Sequence, residues 1–215
     1  MNNNTNIYNI FSSIADNYDR LNTILTLNID SYWRKKAIRL CNLNKSHKIL
    51  DVCCRTGKMI EHACKTVGKN TEVIGLDFNE QMLSVGNVKL NQSIKDYKLK
   101  LIKGDILKLP FEDSSFDRVT VAFGLRNAKN KLKALCEIYR VLKWDGRLVC
   151  LELSNSSLPE IALCQKSNFN LLSNKLALLT LVIYPLQGVL LQFTTEIKNY
   201  CKDISKKRLQ YFEIL

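Results

Sequence analysis

The amino-acid sequence predicts an α/β fold, a mostly parallel central sheet flanked by helices on both faces, and three observations carry that reading. Short apolar strands alternate with amphipathic helices from residue 48 to residue 152. The strands are near-continuous hydrophobic runs, such as Ile49-Leu50-Asp51-Val52 and Val73-Ile74-Gly75-Leu76, as strands buried on both faces require. Acidic residues also fall at or just after the ends of successive strands, where open α/β sheets bind their ligands.

The elements follow in order. From Ile7 to Leu40 apolar residues (Ile10, Phe11, Ile14, Tyr18, Leu21, Ile24, Leu25) recur at three- and four-residue steps, which predicts helix. Lys48–Cys53 reads as the first strand, Lys58–Val67 as a helix, Glu72–Asp77 as the second strand and Glu80–Leu90 as a helix. Leu99–Lys103 and Phe116–Phe123 read as strands three and four, Lys129–Leu142 as an amphipathic helix, and Arg147–Glu152 as strand five. This divides the chain into an N-terminal helical cap (1–40), a sheet-centred core (41–155) and a tail (156–215).

In the tail, Leu176–Phe193 is strongly apolar. Its length approaches the roughly 20 residues of a membrane span, but Pro185 at its centre favours a substrate-covering or interfacial element over buried core or a true span. Lys198–Arg208 is basic and suits an anionic surface.

The 215 residues carry a formal charge of +12, which favours an anionic partner, nucleic acid or a membrane face; a lysine-rich bias of the whole chain explains it equally well. The Asn-rich start, Met1 to Asn6, has neither the charged nor the apolar region of a signal peptide. Eight scattered cysteines show no metal-ligand spacing and read as small buried hydrophobes in a reducing cytosol; no metal is expected.

Three strand-end signals define the candidate site. Asp51-Val52-Cys53-Cys54-Arg55-Thr56-Gly57 turns from strand one into its helix, where small residues let backbone approach a ligand and the helix start favours negative charge. Asp77 ends strand two, placed to accept from both hydroxyls of a ribose, with Phe78 beside it. Asp105 follows strand three, placed to accept from an exocyclic amine while Ile106 packs on a purine. Each aspartate alone is equally a helix N-cap; three in register point to a nucleoside-containing cofactor.

The run Gly104-Asp105-Ile106-Leu107-Lys108-Leu109-Pro110-Phe111, with Phe123-Gly124-Leu125-Arg126-Asn127 and Glu137-Ile138-Tyr139-Arg140-Val141-Leu142-Lys143, resembles the ubiquinone/menaquinone biosynthesis C-methyltransferase family, as does Phe11-Ser12-Ser13-Ile14-Ala15-Asp16-Asn17-Tyr18-Asp19-Arg20. The resemblance covers roughly residues 8 to 155 and implies a Rossmann-like class I methyltransferase fold with S-adenosylmethionine as cofactor. It implies cofactor contacts from Asp51, Thr56, Gly57, Asp77, Phe78, Asp105 and Ile106, and substrate contacts from Tyr18 and Asp19. Arg126 and Asn127 are the implied catalytic pair, acting on a polyprenylated quinol. An ion pair of Arg126 with Asp117 or Glu137 is the alternative. The implied location is cytoplasmic, with peripheral contact with the membrane's inner face; a homodimer is left open.

The sequence departs from that family at four places. Arg55 stands where the family has glycine, Lys58 where an acidic residue is common, and Lys143-Trp144-Asp145-Gly146 where it has Lys-Pro-Gly-Gly. The family's sheet continues with two more strands, and no strand pattern is read between Leu153 and Leu215, so the C-terminal strands are expected to be missing and an edge exposed. Two alternatives follow: a degenerate, non-catalytic binding subunit, or a methyltransferase of another small molecule. A nucleic-acid methyltransferase ranks last, because no aromatic-rich basic stripe or base-methylation motif is present.

Overall fold

The computed structural model describes residues 3–151 and 212–214. Three helices come first, α1 (Asn3–Ile14), α2 (Tyr18–Leu25) and α3 (Ile29–Leu40), with a 3₁₀ turn, Ala15–Asn17, between the first two. There follow β1 (Ile49–Val52), α4 (Lys58–Val67), β2 (Val73–Asp77), α5 (Glu80–Ser93), β3 (Leu99–Lys103), β4 (Phe116–Ala122), a 3₁₀ turn (Leu125–Asn127), α6 (Lys131–Val141), β5 (Leu142–Leu151) and β6 (Phe212–Ile214). The sheet order is β3-β2-β1-β4-β5-β6 and every pair is parallel.

Burial explains the order. All residues of β1 and β2 are buried, so the strands that read as unbroken apolar runs occupy the centre. Alternate residues face different helix layers. Ile49 and Val73 pack with Ile60, Cys64 and Val67 of α4 and Leu83 and Leu90 of α5. Leu50, Val52, Ile74 and Leu76 pack with Ala134, Leu135 and Ile138 of α6. Asn79 caps α5 by accepting from Met82 N–H at 3.0 Å, and Asn130 caps α6 through Lys133 N–H at 2.9 Å. The last carbonyls of α3 take arginines from the sheet: Arg147 donates to Leu40 O and Arg118 to Cys41 O, both at 2.7 Å.

Two details differ from the sequence reading. Strand five starts at Leu142, because Leu142 pairs with Phe116 and the register shifts between Phe116 and Arg118, taking the irregular Lys143-Trp144-Asp145-Gly146 stretch into the strand. A three-residue strand, β6, lies beside β5 where the sequence shows no strand pattern; at that length a periodic signal barely exists. The apolar segment 176–193 and the basic segment 198–208 lie outside the described residues. No helix among the described residues is long and apolar enough to cross a membrane.

Four of the described cysteines are buried, and burial pushes the Cys41 and Cys64 thiols up to about 12 and Cys54 well above its ordinary value, so they stay protonated. At Gly75 the α4 and β3 side chains close over the strand: a Cβ there would lie 2.4 Å from Ile60 Cδ1 and 2.6 Å from Leu101 Cδ2. Gly75→Ala is therefore expected to lower the unfolding free energy by about 1–3 kcal/mol, measured by urea denaturation.

Candidate active site

The loops leaving β1, β2, β3 and β4 at the carboxyl edge of the sheet enclose a cavity of about 280 Å³. The β1–α4 loop is sharply bent, with Cys53 and Arg55 both left-handed at φ +57° and +50°, a conformation costing a non-glycine residue roughly 1–2 kcal/mol. Gly57, at φ +82°, caps α4, and a Cβ there would lie 2.5 Å from Leu90 Cδ1. One carboxylate holds this bend. Asp77 Oδ2 accepts from Arg55 N–H at 2.8 Å and its Oδ1 from Asn79 N–H at 2.9 Å, so the loops after β1 and β2 share a single anchor. Burial pushes the Asp77 carboxyl up, and these backbone bonds and the Arg55 charge oppose it.

Asp105, exposed at the rim, accepts from Leu107 N–H at 2.9 Å. Ile106, Leu107, Met82 and Phe78 give the acidic part of the cavity apolar walls. Phe78 meets the Tyr8 ring of α1 at 5.9 Å, and Asn79 donates its amide to Tyr8 O and Ser12 Oγ, tying α1 to this edge.

Of the residues the sequence singled out, Asp77, Phe78, Asp105, Ile106 and Asn127 line the cavity together. Asp51 lies beneath it, 2% exposed, accepting from Thr120 Oγ1 at 2.6 Å. Thr56 donates its hydroxyl to Asp19 at 2.7 Å, and Asp19 pairs with Lys89 at 2.9 Å, so these two join the cap to α5 outside the cavity wall. Tyr18 is buried against the Arg55 guanidinium. Arg126 is exposed on the 3₁₀ turn that carries Asn127, its guanidinium 5.7 Å from the Phe123 ring centre.

The sequence missed part of the wall. Phe11 and Met82 line the cavity but carry the same signal as core residues in an amphipathic stripe. Arg55, visible only as a departure, is 7% exposed and projects into the wall. Its guanidinium donates to Phe123 O and, at 3.4 Å, to Ala122 O, and faces the Phe11 and Tyr18 rings at 5.2 and 5.3 Å. Lys58, reversed in charge from the family's usual residue, is answered by the cap: it lies 3.6 Å from buried Asp30 and donates to Thr23 Oγ1 at 3.2 Å. Among the described residues no cluster of histidine, cysteine or carboxylate side chains could hold a metal.

A doubly wound parallel sheet with carboxylates converging at its carboxyl edge defines a nucleoside-binding α/β protein. The chain matches the ubiE/COQ5 methyltransferase family over residues 1–179 and belongs to it. It is 42% identical over 163 residues to the demethylmenaquinone methyltransferase of Staphylococcus saprophyticus, covering 76% of this chain and 69% of that protein. To the protein of the same name from Staphylococcus aureus it is 46% identical over 153 residues, covering 71% of this chain and 62% of that protein. The match thus spans about two thirds of the length of these relatives. Among solved structures, YcgJ of Bacillus subtilis superposes at TM-score 0.54 with 26% identity, over 60% of this chain and 53% of its own. A SAM-dependent methyltransferase of Aquifex aeolicus superposes at 0.53 with 24% identity, over 59% of this chain and 66% of its own, which shows the fold alone.

The buried Asp51 makes stability depend on pH. Burial pushes its carboxyl up to about 7 from an ordinary 3.8, so folding takes up a proton in that window and stability falls as pH rises through it. Asp51→Asn removes the part of the fall due to Asp51 and leaves that of Asp77, whose carboxyl burial also raises. Its stability relative to wild type is expected to be greater at about pH 8 than at about pH 5, widening by up to roughly 1.4 kcal/mol per pH unit between the two pKa values. Urea denaturation of both proteins at each pH checks this; a constant difference contradicts it.

Proposed function

We propose that the chain is an S-adenosylmethionine-dependent C-methyltransferase acting on a demethylated, polyprenylated quinol of the demethylmenaquinol type, in menaquinone or ubiquinone biosynthesis. The observation that carries this reading is the convergence of Asp77 and Asp105, with the apolar faces of Phe78 and Ile106, on one cavity. That donor set fits adenosine: carboxylates accept from hydroxyls and amine, and apolar side chains cover the purine. The identity to proteins named demethylmenaquinone methyltransferase supports the quinol.

S-adenosylmethionine supplies a methyl carbon made electrophilic by the sulfonium, which leaves as a neutral thioether. The protein's tasks are alignment and proton transfer. Held by Asp77, Phe78, Asp105 and Ile106, the cofactor would supply its methyl group to a quinol ring made electron-rich by loss of the phenolic proton, with the thioether and the ring proton as leaving groups. Arg126 stabilises the phenolate, directly or through a water acting as base, and Asn127 orients it; their common 3₁₀ turn after β4 supports this pairing. Exposed Leu21, Ile24, Leu25 and Leu27 beside Arg20, with the charge of +12, support delivery of a lipid-tailed substrate from an anionic membrane surface.

Titration calorimetry with S-adenosylmethionine is expected to show one site, and Asp105→Ala to weaken it about tenfold while costing stability only the exposed bond from Leu107 N–H. No heat and no thermal shift at about millimolar ligand would sink the reading. In a methyl-transfer assay on a short-tailed demethylmenaquinol, Arg126→Met is expected to lower kcat about 100-fold with cofactor affinity unchanged. A loss confined to cofactor binding contradicts that role.

A further inference from the structure

The cavity changes sign along its length. Its loops follow the strand order β3, β2, β1, β4, and the charged walls run Asp105, Asp77, then Arg55, whose guanidinium reaches the last carbonyls at the end of β4, and Lys129 beyond β4. From β3 to β4 is three strand spacings, roughly 14 Å. An adenosine answers the acidic end and brings nothing to a buried guanidinium.

Arg55 is a buried cation whose charge is felt by the buried carboxylates of Asp51 and Asp77 without either touching its guanidinium. It is 7% exposed, and among the described residues no carboxylate lies within ion-pair distance of it. Its neighbours are two neutral carbonyls and two aromatic faces. A buried charge is costly without an opposite one. The two carbonyls take two of five N–H donors, and the Phe11 and Tyr18 rings hold the guanidinium against the wall. A fixed planar fork with donors to spare matches a carboxylate bidentately.

We propose that Arg55 is the anion-binding pole of this cavity and takes the α-carboxylate of the amino-acid half of the cofactor. The inference rests on the cofactor named above and adds a binding residue at the place where the family has glycine. The left-handed bend at Arg55, held from its main chain by Asp77, is what sends the side chain toward β4.

The test compares S-adenosylmethionine with decarboxylated S-adenosylmethionine, which differ only in that carboxylate. Wild-type protein is expected to bind the carboxylate form at least about tenfold more tightly. In Arg55→Met the preference collapses toward one, through weaker binding of the carboxylate form and little change in the other. Arg55→Lys, which keeps charge and loses the fork, falls between. Equal affinities in wild type overturn the proposal without any variant, so a poorly folding Arg55→Met leaves it falsifiable. It is also overturned if the preference survives in Arg55→Met, or if both compounds bind only once Arg55 is removed, since the side chain is then an obstruction and the cofactor assignment stands. Binding of neither compound to any cooperatively folded form overturns the cofactor assignment itself, and this inference with it.

Discussion

One buried carboxylate sets the geometry at the carboxyl edge of the sheet. Asp77 joins the main chain of the β1–α4 loop to that of the β2–α5 loop. Both N–H groups sit at helix approaches, where backbone donors lack partners of their own. The carboxylate therefore relieves two needs at once, and its own burial is tolerable because of them. With these two loops fixed to each other, and the loop after β3 tied to them by Gly104 N–H donating to Asp77 O at 2.9 Å, Phe78, Asp105 and Ile106 line one cavity.

The cap depends on the same edge by a different chemistry. Asn79 reaches Tyr8 and Ser12 of α1, Asp19 reaches Thr56 and Lys89, and Lys58 reaches Asp30 and Thr23. Apolar packing of Ala15, Tyr18 and Met82 lies within this ring of polar ties. On the far side, Arg118 and Arg147 fasten the end of α3 to β4 and β5. The N-terminal helices are thus held at both ends, which lets Phe11 serve as a fixed wall of the cavity.

The sheet was legible because buried parallel strands carry a strong signal: β3 and α4 fall where the apolar runs place them, and the other central strands differ by a residue or two. The acidic positions Asp77 and Asp105 were legible from topology, since strand ends point to one edge. What periodicity cannot carry was lost. Whether an aspartate reaches the cavity or lies beneath it depends on its depth along the strand: Asp51 is level with Gly75, two residues below Asp77, and bonds Thr120. Asp19 and Thr56 are 37 residues apart and their mutual bond leaves no local trace. The early start of β5 depends on a register shift against Phe116, a tertiary effect.

The bond that secures the β1–α4 loop is donated by an amide N–H, a group that every residue but proline would bring to position 55. Loop shape and cavity charge are therefore separable properties of this protein. Exchange of the residue at 55 is limited by the left-handed dihedral, where glycine is most comfortable, while its ionic character reaches the wiring below only through the field it puts on the Asp77 carboxylate. A lineage can thus recast the electrostatics of such a pocket through a single codon and leave the scaffold standing.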